Sequence, residues 1–138
     1  MTATTTYKQA NLFAAALDAD DFTAAEALLS PKCVSVSGRE VLEGREAIIN
    51  SYRKSSERAQ ELFDTVFYES DVLSSSETSA EILFADQLSS GEMKHIYRSR
   101  HFLEFSSAGE IVQIRQEEIA GERQRLKAFI EECGVDDE

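Results

Sequence analysis

A chain of 138 residues and 15.4 kDa, 42% hydrophobic with six glycines and one proline, has the length of one domain and the composition of a folded one. Its 26 acidic residues against 14 basic ones leave a net charge of −12, a field that repels nucleic acid and anionic membranes, so neither partner is expected. No stretch approaches the roughly 20 apolar residues that span a bilayer, and the threonine-rich start Met1–Gln9 has no apolar export signal, so a cytoplasmic protein is expected.

In chain order, Ala10, Phe13, Ala14 and Leu17 recur at three- and four-residue steps and predict an amphipathic helix over 7–17. Asp20 and Asp21 can cap a second short helix carrying Phe22, Ala25, Leu28 and Leu29, which Ser30 and Pro31 stop. Short strands follow at 33–37 and 40–42 around Gly38. A longer helix begins near Gly44, with Ile48, Tyr52, Ser55, Ala59 and Leu62 on its stripe. The period then changes to two over 64–73, 78–88, 92–105 and 110–120, the pattern of an antiparallel meander. A last helix over 122–133 is stopped by Gly134. Helices first and long strands afterwards predict an α+β fold, a sheet covered by helices on one face.

Turn position fixes hairpin register. A four-residue turn at 89–92 sets Asp86 opposite His95 and Ala80 opposite His101; a turn at 106–109 sets Ile114 beside His101, Gln116 beside Ser99 and Glu118 beside Tyr97. One sheet face then holds Tyr97, Ser99, His101, Ile114, Gln116 and Glu118, apolar with convergent polar groups. The other holds the pairs Glu81–Arg100 and Arg98–Glu117, with Ile96, Phe102 and Ile119 supplying an apolar component. This outer face is expected either to be solvated or to pair two copies of the chain as a homodimer.

The order of the elements, with the segments Phe13–Phe22, Gly44–Ile48 and Ala108–Arg115, resembles the nuclear transport factor 2-like superfamily, nearest its SnoaL-like and ketosteroid isomerase-like branch. The resemblance covers about 7–120 and leaves the helix at about 122–133 as an addition to a single domain spanning 1–138. It implies a curved antiparallel sheet wrapped as a cone around the N-terminal helices, an interior pocket, and dimers. The residues that the isomerase uses transfer poorly. Its first-helix tyrosine falls on Phe13 and its base near Ser37, neither of which can serve. Its second oxyanion donor falls on His101 and a supporting tyrosine on Tyr52.

Two chemistries are open to the remaining polar residues. Asp86 could orient or charge His95 as an acid–base dyad near His101, or the two could be a cross-strand ion pair at the end of a hairpin. His101, among apolar neighbours, is expected to be neutral, either as a site residue with Tyr52 or as a satisfied core histidine. Two function classes follow: a binding or accessory protein holding a small, partly apolar molecule in an interior pocket, or a cofactor-free isomerase, cyclase, dehydratase or hydrolase using histidine acid–base chemistry. No cofactor is implied, since neither a phosphate-binding glycine loop nor a nucleophile elbow occurs. Cys33 and Cys133, and His95 and His101, are too far apart in sequence to suggest a metal site.

Overall fold

The computed structural model describes residues 2–134. Its elements are α1 (Ala3–Asp18), α2 (Phe22–Ala27), β1 (Leu29–Ser37), β2 (Glu40–Glu43), α3 (Arg45–Leu62), β3 (Thr65–Ser75), β4 (Ser79–Ser90), β5 (Met93–Phe105), β6 (Ile111–Glu118) and α4 (Glu122–Cys133). One curved, unclosed six-stranded sheet runs in the order β2-β1-β6-β5-β4-β3. Every ladder is antiparallel except β1–β6, which is parallel, so the sheet is mixed rather than the purely antiparallel one expected. A meander places neighbours antiparallel, but β1 returns to the meander's last strand from the far end of the sequence and meets it in the same direction.

α1 starts four residues earlier than the apolar stripe indicates, because Thr2 caps it by accepting from the Thr5 amide at 3.1 Å. Asp21 caps α2 in the same way, through the Ala24 amide. α2 ends sooner than expected and β1 runs through Pro31. Proline has no N–H for a ladder, and the β1–β6 register shifts between Leu29 and Val34, across that residue.

α1 lies on β3 and β4, α3 on β1, and α4 on β5. The main core joins Phe13, Leu29, Ile48, Ile49, Ile82, Leu103, Ile111 and Ile114, all at most 2% exposed. Burying a side chain of this kind contributes about 1.5–3 kcal/mol. A smaller core sits beneath α4, where Phe129 and Ile130 meet Phe63 and Leu88. Among the described residues no helix is long and apolar enough to cross a membrane.

Candidate functional site

Between the helices and the inner face of β4, β5 and β6 lies a cavity of about 330 Å³. Its floor has the composition expected but a different register. The β4–β5 turn has only two residues, Gly91 and Glu92, between the paired Ser90 and Met93. Gly91 takes φ 61°, the conformation that suits glycine at the first position of a tight hairpin. Each residue therefore meets a partner two positions beyond the one expected. Asp86 faces Tyr97, Leu88 faces His95 and Ile82 faces His101. The β5–β6 ladder is displaced likewise, with Gln116 beside His101, Glu118 beside Ser99 and Ile114 beside Leu103. A two-residue slip preserves the face, so Tyr97, Ser99, His101, Gln116 and Glu118 still line one cavity. Ile114 does not: it is fully buried in the main core. On the outer face Glu81 reaches Arg100 diagonally at 3.7 Å, and Glu117, not Arg115, lies opposite Arg100. Arg98 lies opposite Ala85, and Arg115 lies over the Phe102 ring at 4.3 Å.

His101 is buried at the floor between two hydroxyls. The Tyr52 oxygen is 3.0 Å from Nδ1 and the Ser99 oxygen 3.3 Å from Nε2. Phe84 packs edge-on against the imidazole at 4.6 Å, and the Tyr52 ring stacks at 5.8 Å. Burial pushes the His101 pKa down to about 3, so the ring is neutral and has one N–H and one lone pair. One hydroxyl must then donate to the ring while the other accepts from it. Which hydroxyl donates is set by the tautomer, and the hydroxyl that accepts from the ring keeps its hydrogen for another partner. Burial raises the Tyr52 pKa, an effect partly offset by a hydrogen bond from Gln116, so the phenol also stays neutral.

The rim of the cavity is acidic. Asp20, two residues beyond α1, takes a left-handed conformation, φ 55°, and accepts from Ser56 at 2.8 Å and from Gln60 at 3.0 Å. Tyr68 lies 2.9 Å from the same Ser56 hydroxyl and faces Asp86 across the β3–β4 ladder. Asp18 accepts from Ser70 at 2.6 Å through Oδ2, while its Oδ1 is buried without a partner. Desolvation raises the carboxyls of both Asp18 and Asp86, and the charge of Asp18 adds to the effect on Asp86, whose pKa is pushed up to about 7. At the mouth, Arg123 of α4 bridges Glu118 at 2.5 Å.

His95 stands apart from this cavity. Its ring stacks on Phe129 of α4 at 5.1 Å, and its Nε2 is buried with no hydrogen-bond partner. The register sets Leu88 rather than Asp86 opposite it, so the expected Asp86–His95 pairing does not form. Phe13 is core and meets Tyr52 edge-on at 6.0 Å, whereas Ser37 lines the cavity. Asp18, Ser56, Tyr68 and Arg123 also line it, and the sequence reading did not single them out; Asp20, expected only as a helix cap, lines it too, as does Phe84. The inward alternation Val66, Tyr68, Ser70, Val72 carried the signal for Tyr68, but the outward set contains Phe67 and Leu73, so hydrophobicity does not separate the faces. Among the described residues no group of three His, Cys, Asp or Glu side chains is placed to hold a metal ion.

No family model and no curated protein matches the sequence. Solved structures do match the fold. An LEH-like epoxide hydrolase from M. tuberculosis is similar with TM-score 0.68 and 17% identity, over 99% of this chain and 97% of that one. An NTF2-like protein of unknown function from Burkholderia pseudomallei gives TM-score 0.69 and 14% identity over 88% and 96% of the two chains. TerC, co-crystallized with polyporic acid, gives TM-score 0.70 and 8% identity over 92% and 98%. Together with the element order and the curved sheet, these similarities identify the fold of this chain as that of the nuclear transport factor 2-like superfamily.

Proposed function

We propose that this protein binds a small, uncharged, partly apolar molecule in the interior cavity, where an oxygen of the ligand pairs with the hydroxyl of Tyr52 or Ser99. The observation carrying this reading is the neutral His101 held between those two hydroxyls in a cavity of about 330 Å³, the size range of small-molecule sites. Phe22, Phe84 and Tyr97 supply apolar wall; Gln116 and Glu118 supply further polar contacts. That TerC was co-crystallized with polyporic acid supports the use of this fold for holding a small molecule. The test is fluorescence titration with naphthol, a neutral aromatic alcohol. Saturable binding that weakens in Tyr97→Ala and Ser99→Ala supports the reading, and absence of saturable binding to the wild type overturns it.

A second reading, a cofactor-free isomerase, cyclase, dehydratase or hydrolase, is favoured by the Asp86 carboxyl at about 7 in the same cavity. The similar fold of an epoxide hydrolase agrees with it. Neutral His101 is a poor base, and His95 lies outside the cavity, so the acid–base role falls to Asp86 rather than to either histidine. Two copies of the chain are proposed to pair through the outer sheet face, where Phe67, Leu73 and Ile96 are exposed.

A further inference from the structure

Once the hydrogen bonds and ion pairs of the cavity are assigned, two carboxylates are left short of partners. Asp20 is held by Ser56 and Gln60, Glu118 by Arg123, and Glu117 by Arg115. Asp18 is bonded on one oxygen only, by Ser70, and its other oxygen is buried and orphaned. Asp86 accepts no hydrogen bond among the described residues and looks into the cavity between Tyr68 and Tyr97 of the flanking strands. A buried carboxylate without donors is costly as an anion, and two that face one space cannot both ionise cheaply.

We infer that Asp86 and Asp18 act as one proton-sharing pair, in which Asp86 exchanges a proton with the bound molecule and Asp18 is a positioning residue that keeps the proton on Asp86. This rests on the reading of the cavity as a small-molecule site and deepens it. The ligand class is narrowed to molecules bearing a proton-accepting oxygen or nitrogen that can approach Asp86 while the apolar part rests on Phe22 and Phe84.

The division of labour follows from the surroundings. The Ser70 hydroxyl favours the ionised form of Asp18, so the shared proton settles on Asp86, which has no such donor. The titratable groups that line the cavity with Asp86 are Tyr68 from β3, Tyr97 from β5, Asp18 from α1, Asp20 from the turn after it, Tyr52 from α3, Glu117 and Glu118 from β6, and Arg123 from α4. His101, farther along β5, is neutral. Arg123 is the one cation of this set and is already bridged to Glu118, so the positive charge that would strip the proton from Asp86 is engaged elsewhere. In a turnover the O–H bond of Asp86 breaks, the proton bonds to the lone pair of the acceptor, and the electron pair remains on the carboxylate. The carboxylate regains a proton from the C–H or O–H bond that the rearranging molecule gives up. Protons balance, and no oxidant, reductant or second reactant enters.

The test is a carboxyl-carbon NMR titration of the ligand-free full chain with isotope-labelled aspartate. In the wild type the Asp86 signal is expected to titrate near 7, and in Asp18→Asn its midpoint falls by about one pH unit as the like charge disappears. Ser70→Ala, which removes the donor without touching either carboxyl, raises the Asp18 midpoint and lowers that of Asp86. An Asp86 midpoint in the ordinary carboxylate range in the wild type, or one that neither variant moves, overturns the inference. Naphthol binding separates the two claims. If naphthol binds and Asp86 titrates normally, the pair is wrong and the pocket stands. If the proton is shared and naphthol does not bind, the pocket reading and the assignment of that proton to a ligand both fall.

Discussion

The Tyr52 hydroxyl lies 3.0 Å from Nδ1 of His101, joining the middle of α3 to the centre of the sheet through a buried, uncharged hydrogen bond. Removing the hydroxyl leaves one nitrogen of a desolvated ring without its partner. Tyr52→Phe is therefore expected to lower unfolding stability by about 1–3 kcal/mol, read from urea denaturation. An unchanged midpoint would mean that water replaces the hydroxyl at no cost.

Asp86 and His101 pull stability in opposite directions as pH changes. The folded pKa of Asp86 is raised from 3.8 to about 7, so the folded chain holds the extra proton across that window and its stability falls as pH rises. The folded pKa of His101 is lowered from 6.5 to about 3, so there the unfolded chain holds the extra proton and stability falls as pH drops. Relative to wild type, Asp86→Asn should gain stability from pH 4 to pH 7, and His101→Gln should gain it below pH 6. Each slope approaches about 1.4 kcal/mol per pH unit within its window. Denaturation midpoints measured across that range provide the check.

The chain enters α3 through Gly44 at φ 91°, ψ 144°, a region closed to residues with a side chain. A methyl group there would meet nothing closer than the Pro31 carbonyl at 3.8 Å. The cost of Gly44→Ala is thus a backbone cost, expected at about 1–3 kcal/mol in thermal or chemical unfolding.

α4 is held by its own small core. Phe129 stacks on Phe63 at 5.8 Å and on His95 at 5.1 Å. Phe129→Ala is expected to cost about 3–5 kcal/mol and to raise amide exchange across Glu122–Cys133 more than in α1. Equal exchange in the two helices would show that α4 is held by something other than this ring.

The proposed dimer makes a further prediction. The wild type should sediment at twice 15.4 kDa, and Phe67→Glu with Ile96→Glu, both on the outer face, should sediment as a single chain. A wild type that sediments as a single chain at micromolar concentration rejects the interface.

The sequence made the fold legible because its periods are clean. The step from Leu62 to the alternation after Asp64 separates α3 from β3 without ambiguity, and Leu126, Phe129 and Ile130 mark the buried side of α4. The site was legible only to the level of the face. Alternation put His101, Tyr97 and Ser99 on one side of β5 whatever the turn, but the partner of each depended on whether Ser89 and Ser90 belong to the turn or to the strand. Serine suits both, and Gly91 followed by one residue was the clue to the shorter turn. The acidic rim was illegible for a different reason. Asp18 and Asp86 lie far apart in sequence and line one cavity only because α1 packs across β3 and β4, a tertiary relation with no local period.

The parallel β1–β6 ladder has a consequence for how the molecule assembles. β3 to β6 join through consecutive hairpins, so their pairing closes short loops, whereas Leu29 meets Ile111 only after most of the intervening chain is in place. The meander is thus positioned to form early, and the N-terminal third to dock onto its last strand late. Substitutions in the β4–β5 hairpin should then slow refolding, while those at Leu29 or Val34 should chiefly hasten unfolding, a division that stopped-flow kinetics would read directly.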